Sequence, residues 1–361
     1  MQLSLSCKVV TPMFMSGADG RTPEIRPSEF KGMMRWWWRA IKAEDDIDNL
    51  RNEENQIFGG TSKGGKSKVW IRIKKENNIQ IGNNLKNDEK LDWSFDQRIG
   101  TLKGKHAGIG YLLYSTVLPN RERSYIKTNS GFSIDLISVD EKAFKVGLAS
   151  LWLAIYLGGF GTRARRGGGN IEVLDVKCEQ NNTINFICQA KNRNDLKKFL
   201  EDNINAIKSI CRPENGTKKY TNLIGAKILI FEPRGNWKEA LNFLGEEYKE
   251  FRVNNKNSIF KTASFGMPVM HSRFTVRMVP YTKQRTLLSD RWASPIIFKV
   301  IKSNNLYFPV IVRLKSGGVE FVGKEEKKDN RWLSSQAQKI DESLIDQFWN
   351  SLLGKGEELN I

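Results

Sequence analysis

The first 178 residues alternate strand-like and helix-like segments in an order that few folds share. Every second residue from Leu3 to Val9 is apolar, a pattern that predicts a half-buried strand. A proline at position 27, followed by apolar residues at helical spacing, predicts a helix over residues 27–43. The other elements predicted for this half are a short helix that ends at Phe58, strands at 69–73, 111–118, 132–139 and 170–178, and a buried helix at 141–157, with a polar loop at 77–92.

The order strand, helix, strand, strand, helix, strand is that of the ferredoxin-like fold, which RNA-recognition motifs share. The second half is expected to contain helices at 191–211, 237–251 and 341–353 and strands at 274–279, 296–301 and 308–314. Two diverged copies of one unit fit this count of elements. We therefore predict an α+β protein of two ferredoxin-like (RRM-like, βαββαβ) domains with insertions. These are residues 1–180, with a glycine-rich loop, and residues 181–361, with helical insertions.

The charge of the chain points to a polyanionic partner. It carries 58 basic and 40 acidic residues, a formal net charge of +18. Residues 252–315 hold twelve Lys or Arg but a single acid, Asp290. A basic bias shared by a whole proteome does not concentrate charge in this way, so nucleic acid is the expected partner.

Several classes of protein are disfavoured. Four scattered cysteines without a C-x-x-C pair exclude a zinc ribbon or a disulfide framework and suit the reducing cytoplasm. The N-terminus lacks the pattern of a signal peptide, and the longest apolar run, residues 146–160, is short for a membrane span. We therefore expect a cytoplasmic protein with no cofactor, no metal and no membrane partner.

The helix over residues 27–43 carries a basic stripe. Lys31, Arg35 and Arg39 share one arc, opposite the apolar face, and no acid stands four residues away to neutralise them. Trp38 borders this arc, either as a ring for base stacking or as part of the core. Basic side chains beside exposed aromatic rings are what proteins use to bind single-stranded RNA.

The segment 158–169, GGFGTRARRGGG, contains six glycines and three arginines. Glycines at positions such as 161 and 167 let the backbone approach a ligand, and Arg163, Arg165 and Arg166 supply guanidinium groups for phosphate. A flexible linker is the alternative, although a linker has no need of three arginines without acids.

The chain offers little for catalysis. Residues 60–67 match G-x-x-x-x-G-K-[ST], but a helix precedes them and a strand follows, the reverse of a phosphate-binding loop. Only two histidines occur. His106 lies in a basic glycine-rich loop with Lys103 and Lys105, where phosphate contact is a simpler role than acid–base catalysis. Asp19, before Gly20, is first of all a turn former.

Together, TPMFMSGADG, RPSEFKGMMRWWWRAI, QIFGG, GGFGTRARRGGG and RWASPIIFKV resemble the RAMP superfamily of CRISPR proteins. More narrowly they resemble the first-numbered RAMP subunits of the Cmr (type III-B) effector complex. The resemblance runs from residue 2 to about residue 300, and it implies two ferredoxin-like domains. It also implies a subunit that does not cut RNA and that sits with other RAMP subunits at the 3′ end of the guide RNA, where it helps to engage target RNA.

RAMP subunits that cut target RNA carry an aspartate in the loop after the first strand. Asp19 occupies a comparable loop in a different sequence context, and neither histidine matches a guide-processing motif. We therefore expect a non-catalytic, RNA-binding subunit in antiviral defence, with guide RNA, target RNA and other RAMP subunits as partners. The alternatives are a RAMP-type RNA endonuclease using Asp19 or His106, and a scaffold that does not bind RNA. The residues expected to bind RNA are Lys31, Arg35, Trp38, Arg39, Lys103, Lys105, His106, Gly161, Arg163, Arg165, Arg166, Gly167, Arg273, Arg277, Arg285 and Arg291.

Overall fold

The structure is a computed structural model of the 361-residue chain. It describes all residues except 62–64, 77, 99, 180–182, 271–273, 279–290, 320, 327–330 and 333–337. For residues 324–326 and 331–332 it describes the backbone alone.

Most helices in this part of the chain begin and end close to the predicted positions, and two short ones, at residues 85–88 and 107–112, were not predicted. They are α1 (Pro27–Lys42), α2 (Ile47–Phe58), α3 (Leu85–Asp88), α4 (Ala107–Leu112), α5 (Glu141–Tyr156), α6 (Arg193–Cys211), α7 (Trp237–Asn254) and α8 (Ser343–Leu353), with 3₁₀ turns at Tyr114–Thr116 and Lys261–Phe265. The strands are β1 (Gln2–Val9), β2 (Trp70–Lys75), β3 (Ile81–Gly82), β4 (Ser94–Asp96), β5 (Thr101–Lys103), β6 (Tyr125–Ile126), β7 (Gly131–Ile137), β8 (Ile171–Cys178), β9 (Asn222–Phe231), β10 (Val269–Met270), β11 (Phe274–Met278), β12 (Ile296–Ser303), β13 (Leu306–Lys315), β14 (Phe321–Glu326), β15 (Arg331–Trp332), β16 (Gln338–Lys339) and β17 (Gly356–Asn360).

Side-chain caps explain where several of these helices begin. Asp46, Asp140, Asn192 and Asn236 precede α2, α5, α6 and α7, and each side chain accepts a hydrogen bond from a backbone N–H of the first turn. Such caps satisfy donors that have no partner inside the helix. In α1 a proline occupies the first turn instead, as predicted.

The first half builds an antiparallel sheet of order β2-β7-β1-β8. The central strand β1 has Leu5 opposite Ile134 of β7 and Val176 of β8. The alternating residues of β1 that were predicted to be buried are buried. Helix α1 follows β1, and α5 connects β7 to β8, so the chain runs through the predicted order of elements.

The second half builds another antiparallel sheet, of order β12-β13-β9-β17, with α7 after β9 and α8 after β13. If the four strands of each sheet are numbered in the order in which they occur along the chain, both sheets have the spatial order second, third, first, fourth. The mixed α and β composition with antiparallel sheets is therefore confirmed. The sequence analysis missed β9 and β17, and its strand at 111–118 is wrong, because α4 and a 3₁₀ turn occupy that segment. The loop predicted at 77–92 contains β3 and α3.

The two sheets are joined through a shared hydrophobic core. Helices α1, α5 and α6 contact one another, and α1 and α6 also contact β9. Alternate residues of the second sheet belong to two cores: Ile228 and Ile230 pack with residues of the first half, whereas Leu229 and Phe231 pack with α7 and α8. A sheet covered on both faces favours largely apolar strands, and β12 and β13 are largely apolar, with Lys299 as a buried charged exception on β12.

Candidate nucleic-acid interface

The glycine-rich loop, residues 158–169, follows α5 and leads into β8, where both halves of the molecule hold it. Lys299 on β12 donates from Nζ to the Gly158 carbonyl at 2.8 Å. The backbone N–H of Phe298 donates to the carbonyl of Arg165 at 3.1 Å, and that of Thr162 to the carbonyl of Phe14 at 2.8 Å. The loop is therefore a fixed structure that packs on the second sheet and not a flexible linker.

Its glycines are required by close packing against protein. Gly161 and Gly167 have φ values of +84° and +80°, a conformation that side chains disfavour. A Cβ atom would lie 2.6 Å from the Phe14 carbonyl oxygen at position 161 and 2.3 Å from Leu241 Cδ1 at position 167. These two positions were predicted to face RNA. The structure gives them a packing role and leaves RNA contact at them a prediction.

The three loop arginines are partly buried without a carboxylate partner among the described residues. Arg165 donates from Nη1 to the Ser294 carbonyl at 2.5 Å, and its guanidinium lies over the Trp36 ring at 4.6 Å. Arg166 donates to the Phe265 carbonyl at 3.2 Å and stacks 4.9 Å from the centre of the Tyr248 ring. These contacts orient the guanidinium groups but do not neutralise them.

Two guanidinium nitrogens of this cluster are buried without a hydrogen-bond partner in the described part of the chain, Arg163 Nε and Arg166 Nη1. Burial, and secondarily the charge of Arg166, lowers the pKa of Arg163 to about 10. The same two causes lower the pKa of Arg165 to about 10. Arg163 and Arg165 therefore still carry their charge at neutral pH. Buried donors with no acceptor are costly, and a bound anion would satisfy them.

These arginines line a pocket of about 540 Å³. Met33 and Trp36 of α1 form one wall, and the segment Phe265–Pro268 forms another. Trp292 and Ser294, which follow the basic segment of the second half, complete the lining. The pocket thus combines cations with one partly exposed aromatic ring, that of Trp36, and such groups bind phosphates and bases of single-stranded RNA.

The basic stripe of α1 faces elsewhere. Arg35 Nε and Arg39 Nη1 contact the same Glu54 Oε1 on α2, at 2.5 and 2.6 Å. Arg35 also donates to the Gly59 carbonyl, and Lys31 Nζ donates to Ser67 Oγ at 2.7 Å. The argument that no acid neutralises this stripe is wrong, because it considered only acids within the same helix.

Trp38 does not offer a ring for base stacking. Its side chain is only 2% exposed and packs edge-on against Phe58. The prediction that this tryptophan contacts RNA is therefore wrong, and the core alternative holds. Trp36, which the helical wheel places off the apolar face, lies in the pocket instead.

The remaining predicted positions are spread over the molecule. Lys103 forms an ion pair with Asp96 at 3.0 Å. His106 Nδ1 accepts from the Asp92 N–H at 3.0 Å, and partial burial together with Lys105 and Lys238 lowers the pKa of this histidine. Arg277 lies on β11, and Arg291 is exposed next to Trp292. Arg273 and Arg285 lie outside the described residues.

The residues considered for catalysis have structural partners. The exposed Asp19 carboxylate accepts hydrogen bonds from the N–H of Arg21 and of Thr22 and from the Thr22 hydroxyl, which hold its pKa at about 2. It forms the predicted turn. No group of three His, Cys, Asp or Glu able to hold a metal occurs in the part of the chain that the structure describes. Gly60 follows α2 and Ser67 precedes β2, the arrangement that argued against a phosphate-binding loop.

The sequence analysis missed most of the pocket wall. Nothing in the sequence places Phe265–Pro268 or Ser294 beside a loop about 100 residues away. The helical wheel of α1 could have indicated Trp36 as a pocket residue, since Trp36 and Met33 both lie beside the core face of this helix. The residues of α1 do not indicate that Glu54 is their acidic partner, because Glu54 belongs to another helix, α2.

Comparison with known proteins agrees with this fold. The RAMP superfamily model matches residues 6–172. The CRISPR system Cmr subunit Cmr1-2 of Pyrococcus furiosus is 37% identical over 180 residues, 46% of this chain and 91% of that protein. Subunit Cmr1-1 of the same organism is 26% identical over 291 residues, 78% of this chain and 77% of that protein.

Solved structures show the same fold over the full length. The apo crystal structure of Cmr1 from P. furiosus has a TM-score of 0.67 at 21% identity and covers 100% of this chain and 98% of its own. A chain of the type III-B Cmr-beta complex bound to cognate target RNA has a TM-score of 0.57 at 16% identity, with 97% and 98% covered. The chain therefore belongs to the RAMP superfamily, as the sequence motifs predicted, and its named relatives are Cmr1 subunits. Among the described residues no helix is long and apolar enough to cross a membrane.

Proposed function

We propose that this chain is an RNA-binding subunit of a type III-B CRISPR (Cmr) effector and that it binds RNA through the glycine-loop pocket. Its relatives are named as Cmr subunits, and structural neighbours come from Cmr complexes bound to cognate target RNA. Its partners are then guide RNA, target RNA and other RAMP subunits, and its role is to contact RNA near the 3′ end of the guide in cytoplasmic antiviral defence.

The observation that carries this proposal is the cluster of Arg163, Arg165 and Arg166. Three guanidinium groups share one pocket, no described carboxylate neutralises them, and two buried nitrogens lack an acceptor. Protein stability alone does not favour this arrangement, because like charges repel and unpaired buried donors cost free energy. An RNA phosphate removes both costs.

The aromatic groups of the pocket suit a single strand. Trp36 is partly exposed, and Arg165 stacks on its ring, which fixes the orientation of both groups. Phosphate contacts would supply most of the affinity and ring contacts the local fit, with little reading of base identity. Arg291 would extend this surface, since the next residue, Trp292, lines the pocket.

The architecture supports two ferredoxin-like units. Each main sheet has four antiparallel strands in the same order, with a helix after its first and third strands. We place the boundary of the units near residue 180, just after β8. The shared core means that the two units act as one body for RNA.

The proposed subunit has no cleavage activity of its own. The Asp19 carboxylate is engaged in its own turn, and His106 accepts a backbone hydrogen bond. General acid–base chemistry needs a positioned pair of groups, and neither residue has a second titratable side chain as a described hydrogen-bond partner.

Binding of a fluorescein-labelled single-stranded RNA to the purified full chain, measured by anisotropy at several salt concentrations, tests the proposal. The logarithm of the association constant should fall with the logarithm of salt, by about 0.7 per phosphate neutralised. Arg163→Asn should weaken binding and reduce this slope, since asparagine tolerates the positive φ of 68° at that position.

Arg51→Ala is the matched control. Arg51 is an exposed arginine on α2 that pairs with Asp48, so its loss removes the same charge elsewhere. A slope of zero for the wild-type chain would support the scaffold alternative. Cleavage of the RNA in the presence of Mg²⁺ would support the endonuclease alternative.

A further inference from the structure

A second pocket lies in the segment between β2 and β7. Short elements from β3 to β6 lie there, and their apolar residues pack with α7 in the core of the second half. Trp93, Leu102 and Gly110 form the floor of a pocket of about 550 Å³. Trp93 itself is buried, and a Cβ atom at Gly110 would lie 2.8 Å from its ring, so the Gly110 backbone packs directly on this ring.

Two aromatic side chains line this pocket while remaining exposed. Phe95 on β4 is 61% exposed, and Tyr114 is 47% exposed. Large apolar side chains that remain in water at one pocket indicate a surface that something else covers. Planar rings with little conformational freedom are the groups on which single-stranded nucleic acids stack their bases.

Polar groups stand at the rim. Lys86 lies 5.8 Å from the centre of the Trp93 ring, and Asn84 and Asn87 flank it. The Asn84 amide donates to Glu122 Oε1 at 3.5 Å, so the one carboxylate that lines the pocket has a partner. An apolar slot with a few amides and a cation is suited to a planar heterocycle attached to a phosphate.

The second pocket is linked to the first. Arg123 Nη1 donates to Thr162 Oγ1 at 3.4 Å. Arg123 follows Glu122, which lines the second pocket, and Thr162 lies between Gly161 and Arg163, which line the first. The exposed Arg123 guanidinium therefore stands where a strand passing from one pocket to the other would place a phosphate.

From this arrangement we infer that the pocket formed by Phe95, Tyr114 and Trp93 accepts an unstacked base of the RNA strand that leaves the glycine-loop pocket. This inference rests on the proposed function. It adds a base-binding site that contributes to RNA affinity through stacking and not through charge.

The test compares two oligouridylates by fluorescence anisotropy, one of about 4 nucleotides and one of about 16, the range of site sizes of single-strand-binding modules. The double variant Phe95→Ala, Tyr114→Ala should bind the long RNA about 5-fold or more weakly, the lower end of what base stacking contributes. Its affinity for the short RNA should be unchanged, because the glycine-loop pocket is intact. Both side chains are exposed, so the melting temperature should be unchanged as well.

Three variants sharpen the result. Trp70→Ala removes a ring that is 38% exposed on β2 and outside both pockets, and it should have no effect. Phe95→Tyr should retain binding of the long RNA, whereas Phe95→Leu should lose it. Full binding by Phe95→Leu would show that an aromatic ring is not needed at this position and would overturn the inference.

The two proposals fail separately. If the wild-type chain binds neither RNA, the proposed function is wrong and this inference is wrong with it. If the wild type binds both RNAs and the double variant binds the long one equally well, only the second site is wrong. If the double variant loses another subunit from the assembled complex and its RNA affinity is unchanged, the second site is wrong as well.

Discussion

Two arginine-rich regions of this protein look alike in the sequence and differ in the structure. The stripe on α1 has Arg35 and Arg39 bound to one buried carboxylate, Glu54, on the neighbouring helix. The glycine-loop cluster has Arg165 and Arg166 bound to carbonyl oxygens and aromatic rings and Arg163 with a buried Nε that lacks an acceptor, with no carboxylate among the described residues. One carboxylate offsets part of the charge of the first region, and no described carboxylate offsets the charge of the second.

The difference shows that the number of arginines in a segment does not predict its local charge. A carboxylate between two guanidinium groups contributes to the packing of α1 on α2. Carbonyls and rings orient a guanidinium and leave its formal charge uncompensated. We therefore expect RNA to distinguish the two regions, although the sequence analysis assigned RNA contact to both.

Replacing two arginines in each region should give the largest contrast. Arg163→Asn with Arg166→Gln should weaken single-stranded RNA binding by tenfold to several hundredfold, since each charged contact contributes about 1.5–3 kcal/mol at most. Arg35→Gln with Arg39→Gln should weaken it less than about threefold. Anisotropy titrations at one salt concentration measure both effects.

The control for this comparison is stability. Arg166 stacks on Tyr248, so the melting temperature of each variant is measured, and Arg163→Asn alone replaces the double variant if that unfolds. Equal losses of RNA affinity for the two double variants would mean that RNA contacts both regions, which would contradict the distinction.

Glu54→Gln should act on stability and not on binding. The Glu54 side chain is 6% exposed, and its two arginine partners are about one-third exposed, so water screens part of the repulsion that its loss creates. We expect a decrease of about 1–3 kcal/mol in the free energy of unfolding by urea.

Glu53→Gln is the matched control, because Glu53 is more exposed and lies 3.6 Å from Lys42. It should change stability by less than about 0.5 kcal/mol. An RNA affinity that rises more than about threefold in Glu54→Gln would mean that the stripe belongs to the RNA surface after all.

Lys299 extends the comparison to a buried cation beneath the glycine loop. Burial lowers the pKa of Lys299 from 10.5 to about 7. Between these values the unfolded chain holds a proton that the folded chain has released, so stability should rise with pH, by up to about 1.4 kcal/mol per pH unit. Below pH 7 this lysine should contribute no pH dependence.

The measurement is the free energy of unfolding of wild type and Lys299→Met at several pH values between 6 and 10. Other groups titrate in this range, but their contribution cancels in the difference between the two proteins. If the difference in the free energy of unfolding between the two proteins does not change with pH, the titration of Lys299 does not cause the pH dependence of stability.

The smallest expected effect concerns Asp19 and His106. Asp19→Ala and His106→Ala should leave cleavage of target RNA by the assembled effector unchanged, because removal of a true acid–base group costs about 10²–10⁴-fold. Gel analysis of the cut sites in end-labelled target RNA is the measurement. Disappearance of one cut site in Asp19→Ala, with RNA binding intact, would identify this chain as a nuclease subunit.

Local patterns predicted much of the fold. Alternation in β1, the proline at the start of α1 and the apolar stretch of α5 each describe a segment through its own residues, and all three elements occur where expected. The wrong predictions also concern single segments of the chain. β9 was missed, and residues 111–118 have an apolar, aromatic composition typical of a strand, although tertiary packing makes them helical.

The residues, read alone, were enough to predict the family, the order of the strands and helices of the first main sheet and the three arginines of a glycine-rich loop. Which cations have a carboxylate partner and which rings are exposed depends on contacts between segments that are distant in the chain. Glu54 lies 15 residues from Arg39, and Phe265 lies 99 residues from Arg166. The physical reason is that helical and strand periodicities describe how a segment meets its own core, whereas charge pairing depends on which other element packs against its outer face.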